Sequence, residues 1–399
     1  MILMPPTSNQ PEIVIGNTNN LNDFAGIPAL PIFSDGVIEF LDRLSKQLLK
    51  SPSVKLYPDV ATFAFWCRKA SMKSVAEPYK NVDNRIGRGN AFHIAPSNVP
   101  VNFAYTLVTG LLAGNSNIVR LPSKEFEQVD IIVAAIDEAI NDEIAPYICL
   151  IRYGHEVDIT DYLSALCDTR VIWGGDTTIQ TIRQSQLKPR AQDVTFADRF
   201  SFCVINADEY LVLKDKERLA LGFYNDSLLT DQNACTSPKL VIWTGNTVEQ
   251  AQEVFWKHFI ELAKSKYDLK PVQAVSKLSN FCRNAASGFT DMHWMGGDNI
   301  VTRILLSRLT SDTHSIVGNS GYFLEYIAKD LDEILPLCNS SAQTLSYFGI
   351  ERQVLRDLIV HSGSRGIDRI VPVGKTMDFS LVWDGVDLIR NLSKEVSFY

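Results

Sequence analysis

Seven cysteines lie along the 399 residues, at positions 67, 149, 167, 203, 235, 282 and 338, and one of them has unusual surroundings. Cys235 is flanked by Asn233, Ala234, Thr236 and Ser237 at a predicted helix-to-strand junction, where a side chain can face a cleft. A thiolate in such a place is a nucleophile toward carbonyl carbon; on context alone the other reading is a small core residue. Cys149 and Cys203 fall inside apolar strands, Cys167 ends an amphipathic helix, and Cys67 and Cys282 follow aromatic residues, which reads as packing. No two cysteines are closer than 18 positions, so there is no CxxC zinc or dithiol motif and no disulfide framework is expected.

Other residues with chemical potential read modestly by themselves. Asn98, in Pro96-Ser-Asn-Val-Pro-Val-Asn-Phe103, precedes a predicted helix and suits an N-cap. Arg120 closes a predicted strand, where a long cation normally snorkels. Gly174-Gly175-Asp176 lies between a strand and a helix and alone marks a turn. Gly87-Arg-Gly89 precedes a strand, so it fails the GxGxxG dinucleotide test. His293, His314 and His361 are distant from Cys235 in sequence, and a lone histidine is usually structural or exposed.

The elements that must position these residues follow from apolar periodicity. Strands are predicted at 91–94, 117–121, 147–152, 170–173, 191–196 and 200–205, with helices at 99–113, 129–140, 159–166 and 177–186 between the first five. Strands separated by helices imply right-handed crossovers and a parallel, doubly wound sheet, which receives ligands beyond the strand carboxyl ends. A helix at 216–229, a strand at 239–243 and a helix at 248–264 begin a second α/β unit near residue 207. Ahead of the sheet, helices are predicted from residue 37 to Pro52 and from Pro58 to 72. The segmentation is therefore an N-terminal arm at 1–33, a mobile segment or an edge strand; a doubly wound α/β domain at 34–206; a domain with Cys235 at 207–365; and a C-terminal segment at 366–399.

Composition excludes several classes. The 38 basic and 46 acidic residues leave a net charge of −8, which offers no general attraction for nucleic acid. The most apolar stretch, 91–114, is interrupted by Pro96, Ser97, Asn98 and Pro100, which argues against a spanning helix. No basic run leads into an apolar segment at the first residues, and the expected setting is reducing and cytoplasmic.

Several segments together resemble a known family. Pro96 to Phe103, and Gly110-Leu-Leu-Ala-Gly-Asn-Ser-Asn-Ile-Val-Arg-Leu-Pro-Ser123, resemble the Pro-x-Asn-x-Pro start and the Gly-Asn to Pro-Ser strand of the aldehyde dehydrogenase superfamily. Tyr57-Pro-Asp-Val60, Ala64-Phe-Trp-Cys-Arg-Lys69, Asp231-Gln-Asn-Ala-Cys-Thr-Ser-Pro238, Arg369 to Phe379 and Trp383-Asp-Gly-Val-Asp387 resemble the LuxC-type long-chain fatty acyl-CoA reductases within it. The resemblance implies an aldehyde dehydrogenase-like fold of two doubly wound α/β domains and marks 34–206 as the NADP-binding domain. It further implies that Cys235 takes an acyl group as a thioester, that Asn98 and the Cys235 N–H hold the oxyanion, and that NADPH releases the aldehyde.

For the cofactor, the resemblance points to Arg120, Ser123, Gly174 and Gly175, with Arg120 suited to a 2′-phosphate and Lys124 adding to its field. Lys375 and Trp383 would be contacts for an acyl carrier, or else a solvated cation and a core residue. Where hydrolytic members carry a glutamate base, Thr195 to Phe202 has none, with Asp198 as the alternative. The implied partners are acyl-CoA or an acylated protein, an acyl-protein synthetase, and further copies of the chain. Rival readings are a thiol acyltransferase or hydrolase using Cys235 with a histidine, and a non-catalytic acyl-binding scaffold.

Overall fold

The computed structural model describes residues 10–16, 21, 24–82, 84–289, 291–316 and 318–398. Contacts divide the chain into two compact units, Met1–Asp198 with Phe379–Tyr399, and Arg199–Asp378.

The first unit is built on strands β1 (Glu12–Ile15), β3 (Asn90–Ile94), β4 (Ser116–Arg120), β5 (Ile148–Arg152), β6 (Thr169–Gly174) and β7 (Gln192–Ala197), in the order β1-β5-β4-β3-β6-β7. β3 to β7 are parallel, and β3 pairs with both β4 and β6. The crossovers therefore run one way from β3 through β4 to β5 and the other way through β6 to β7, which is the doubly wound arrangement expected. β5 reads as an apolar run up to its last residue, as expected of a strand buried on both faces. Every residue of β3 is buried. Of the predicted arm, residues 1–9, 17–20, 22 and 23 lie outside the described residues; β1 is the edge strand, antiparallel to β5. A short strand, β2 (Arg85–Gly87), pairs with Ser393–Glu395 of the returning segment.

The helix Asp35–Lys50 buries Val37, Ile38, Leu41, Leu44 and Leu48 and stops before Pro52. Ser34 occupies its cap position without a side-chain cap bond. The helix after β3 is Asn102–Leu112 with Val101 at its cap position, shorter than the predicted 99–113; Pro100 disfavours the α conformation at Val99. Gly110 in that helix is required by packing: a Cβ there would lie 1.9 Å from Asn117 Oδ1 and 2.9 Å from His93 Nε2.

The second unit holds a seven-stranded sheet in the order β10-β11-β12-β9-β8-β13-β14. Its strands are β8 (Phe200–Asn206), β9 (Pro238–Thr244), β10 (Met292–Gly297), β11 (Thr302–Leu306), β12 (Tyr322–Ile327), β13 (Ala342–Phe348) and β14 (Arg369–Pro372). All neighbours are parallel except β10 and β11. β8, grouped by the sequence segmentation with the first domain, is central here, between β9 and β13. The C-terminal segment divides as well: β14 edges this sheet, whereas Phe379 onward belongs to the first unit.

Candidate active site

Cys235 lies in the second unit, in the connection between the helical turn Leu228–Thr230 and β9, at the amino edge of the sheet. The connection is strained and tightly held. Asp231 and Gln232 both take left-handed backbone conformations, at φ 54° and 55°, which non-glycine residues adopt only when their surroundings impose it. The Gln232 side chain is fully buried: its Oε1 accepts from the Gly321 and Tyr322 N–H groups at 2.7 and 3.0 Å, and its Nε2 donates to the Pro238 and Tyr322 carbonyls. The Ser320 N–H donates to the Asp231 carbonyl, and Asn319 Nδ2 donates to Asn233 Oδ1. Ser201 Oγ donates to the Cys235 carbonyl at 2.6 Å, and Thr236 Oγ1 donates to Met377 Sδ at 3.4 Å.

Cys235 itself is half-buried, and none of the seven cysteines is in a disulfide. Five others are buried, and that burial pushes the thiols of Cys149, Cys167, Cys203 and Cys338 up to about 12 and that of Cys67 up as well. A thiol whose thiolate is suppressed in this way is inert. Cys282 is exposed on the helix Pro271–Ala286.

Asn98 belongs to the first unit and is exposed in the loop after β3. It is not a helix cap, because the cap position is Val101. Arg120, Ser123, Gly174 and Gly175 lie with it at the carboxyl ends of β3, β4 and β6, where the strand order reverses. This is the crevice in which doubly wound sheets take nucleotides. The Ser97 and Ser123 hydroxyls are 3.1 Å apart, joining the loops after β3 and β4. Arg120 Nε donates to the Tyr153 carbonyl at 3.3 Å, Nη2 donates to the Gly154 carbonyl, and the guanidinium lies 4.4 Å from the centroid of the Tyr153 ring. Lys124 Nζ sits 4.9 Å from the centroid of the Phe126 ring. A Cβ at Gly175 would meet nothing within 4 Å, so the backbone there is open to a close-lying ligand. These features fit a dinucleotide.

The remaining expectations resolve differently. Trp383 is buried in an aromatic cluster, 5.4 Å from Tyr105 and 6.4 Å from Trp173 between ring centroids, so it is a core residue and not a carrier contact. Lys375 pairs with Asp378 at 2.9 Å on the surface. Asp198 is exposed after β7, its N–H donating to the Gly174 carbonyl. His293 and His361 are exposed and His314 is half-buried; His293 bonds Ser307, and His314 bonds the Ser311 carbonyl. Among the described residues, no cluster of three or more His, Cys, Asp or Glu is arranged to hold a metal ion, and no helix is long and apolar enough to cross a membrane.

Four buried polar residues were not singled out by sequence. His93 is fully buried between Thr106 Oγ1 at 2.7 Å and Asn117 Oδ1 at 3.0 Å, and burial pulls it down to about 4. Asp226 accepts from the Gly374 and Thr376 N–H groups, and burial raises it to about 6. Glu325 accepts from Trp243, Gln252, Trp256 and Arg303. Lys277 donates to three backbone carbonyls. No local motif announces them, since their partners are distant in sequence.

Solved structures with the same architecture define the class. An NAD-dependent benzaldehyde dehydrogenase from Corynebacterium glutamicum superposes with a TM-score of 0.63 at 14% identity, covering 94% of this chain and 86% of that one. A 1-pyrroline-5-carboxylate dehydrogenase variant from Thermus thermophilus gives 0.64 at 13% identity, covering 94% and 82%. The fold is that of the aldehyde dehydrogenases.

Within that class, the family model for acyl-CoA reductase (LuxC) matches residues 67–395, and the chain belongs to this family. It is similar to long-chain acyl-protein thioester reductases from Photorhabdus laumondii, at 24% identity over 323 residues, and from Aliivibrio fischeri, at 24% over 299. The matches cover 78% and 72% of this chain but only 63% and 58% of those proteins.

Proposed function

We propose that the protein reduces an activated fatty acyl group, carried as acyl-CoA or on an acylated partner protein, to the aldehyde through an acyl-enzyme on Cys235. The observation that carries this reading is the contrast among the thiols. Cys235 is half-buried on a strained turn held by hydrogen bonds, while five others are buried in the core. Strain of this kind concentrates at sites that must present a group in one geometry.

The chain's own residues then have definite tasks. Cys235 Sγ attacks the thioester carbonyl; the C–S bond to the carrier breaks, and the carrier leaves as a thiol that takes up a proton. Asn98 and the Cys235 N–H stabilise the oxyanion, a contribution of about 3–4 kcal/mol per donor at such sites. Arg120, Ser123, Gly174 and Gly175 hold a nicotinamide dinucleotide in the first unit's crevice, with Arg120 suited to the 2′-phosphate of NADPH. Bound there, the dinucleotide supplies the hydride that converts the acyl-enzyme to aldehyde. Thr195 to Phe202 carries no glutamate to activate water, so hydrolysis of the acyl-enzyme is slow.

A setting in the cytoplasm, an acyl-protein synthetase as donor and a homo-oligomeric enzyme complete the proposal. Incubation with long-chain acyl-CoA and NADPH is expected to consume NADPH and yield aldehyde, and Cys235→Ala to abolish both. Full activity in that variant overturns the assignment. A thiol acyltransferase or hydrolase would turn over without nicotinamide, and a scaffold would form no acyl adduct.

A further inference from the structure

We propose that Lys277 is a positioning residue for Cys235: by gathering three backbone carbonyls it fixes the turn at residues 319–322, onto which the Asp231–Gln232 turn is docked. The inference rests on the reading of Cys235 as the nucleophile.

Lys277 projects from the helix Pro271–Ala286 and is 2% exposed. That helix turns polar residues inward, burying Lys277, Asn280 and Asn284, and leaves Val272, Val275 and Leu278 exposed. Lys277 Nζ donates to the carbonyls of Asn299, Ile300 and Ser320 at 2.5, 2.8 and 2.9 Å. Three donors meet three acceptors, an arrangement only the charged ammonium completes. A buried ammonium is costly unless every donor is used, and a residue serving only to fill space would be apolar.

The third carbonyl gives the cage its meaning. Ser320, held by Lys277 through its carbonyl, donates its own N–H to the Asp231 carbonyl at 2.9 Å. Its neighbours Asn319, Gly321 and Tyr322 all donate to Gln232 or Asn233. Ser320 is itself left-handed, at φ 56°, so two strained turns are locked to each other with Lys277 behind them. Asp298 faces Lys277 electrostatically and is engaged by Lys264 at 2.9 Å, and Tyr267 donates to Asp231 Oδ1 on the far side of the turn with Tyr224 nearby. Burial pulls Lys277 down to about 8, against the raising effect of Asp298, so the cage loses its third donor within reach of ordinary assay conditions.

The test reads the thiol directly. Iodoacetamide alkylation of Cys235 is followed by peptide mass spectrometry in the full chain without acyl substrate, with exposed Cys282 as internal reference and circular dichroism as the check on folding. Lys277→Met is expected to slow Cys235 alkylation by about fivefold or more relative to Cys282, and Asn319→Ala to slow it by a smaller factor. In the unaltered protein the Cys235 to Cys282 ratio should fall above about pH 8, and Lys277→Met should remove that fall. A ratio within about twofold of the unaltered protein in both variants, or equal changes at both thiols, overturns the proposal. If Lys277→Met does not fold, an unchanged ratio in Asn319→Ala with no fall above pH 8 overturns it equally. Failure here leaves the Cys235→Ala activity result untouched, so the two claims fail separately.

Discussion

Ser201 binds Cys235 through the backbone: its Oγ donates to the Cys235 carbonyl at 2.6 Å while accepting the Thr344 N–H at 3.1 Å. Ser201 is the second residue of β8, and Thr344 lies in β13, the adjacent strand. One hydroxyl thus stitches the cysteine connection to β8 and β13, two neighbouring interior strands of the second unit. Lys277 and Gln232 secure the same connection from the β12 side.

Removing that stitch should cost both stability and activity. Ser201→Ala leaves one acceptor and one donor unsatisfied in a buried place, worth about 1–3 kcal/mol of stability. Loosening the nucleophile's backbone is expected to lower the acyl-CoA reduction rate on the order of tenfold. Steady-state kinetics beside a denaturant titration separate the two, and an unchanged rate would show that the anchor does not position Cys235.

Gly175→Val examines the nucleotide crevice with little risk of misfolding. Gly175 has φ −67°, acceptable to any residue, and a Cβ there has no neighbour within 4 Å. The variant should melt within a few degrees of the unaltered protein, yet its KM for NADPH should rise by about tenfold or more. Alkylation of Cys235 should not change. An unchanged KM would move the dinucleotide away from the β6 exit.

His93 and Asp226 should tilt stability in opposite directions. His93 is depressed to about 4 by burial, so the folded state resists a proton that the unfolded chain accepts below about 6.5. The unaltered protein is therefore expected to lose stability relative to His93→Gln as pH falls from 6.5 to 4, on the order of 3 kcal/mol. Asp226 is raised to about 6, so the folded state keeps a proton that the unfolded chain releases above about 3.8. The unaltered protein then loses stability relative to Asp226→Asn as pH rises from 4 to 6, on the order of 2 kcal/mol. Denaturant titrations at pH 4, 5, 6 and 7 give both slopes; parallel curves for all three proteins contradict the assignment.

Gly110→Ala should be disproportionately destabilising for a helical glycine. Alanine normally favours a helix, but here its methyl would press into Asn117 and His93, for a cost of about 1–3 kcal/mol or more. A variant at least as stable as the original would show that this packing relaxes freely.

The first sheet was legible because β3 to β6 are almost wholly buried, β7 alternates between buried and half-buried residues, and the helices between them carry apolar stripes. Between residues 265 and 365 the pattern yields no elements. The helix Pro271–Ala286 has its polarity reversed, with Lys277 and Asn280 inside and Val275 outside, so periodicity points its apolar face the wrong way. Cys235 stood out by its polar neighbours. Gln232, three positions before it, gives no local sign of being its anchor, because its partners Gly321 and Tyr322 lie about ninety positions away. For Trp383 the sequence offered a core position beside a carrier contact, and its packing against Tyr105 and Trp173 places it in the core.

The central claim is a covalent acyl-enzyme on Cys235, and trapping it is the most direct measurement. Incubation with radiolabelled long-chain acyl-CoA without nicotinamide should leave label on the peptide containing Cys235, stable for the assay because no glutamate base serves it. Adding NADPH should discharge that label as aldehyde. Label on another residue, or none while NADPH-dependent aldehyde formation proceeds, would contradict the account.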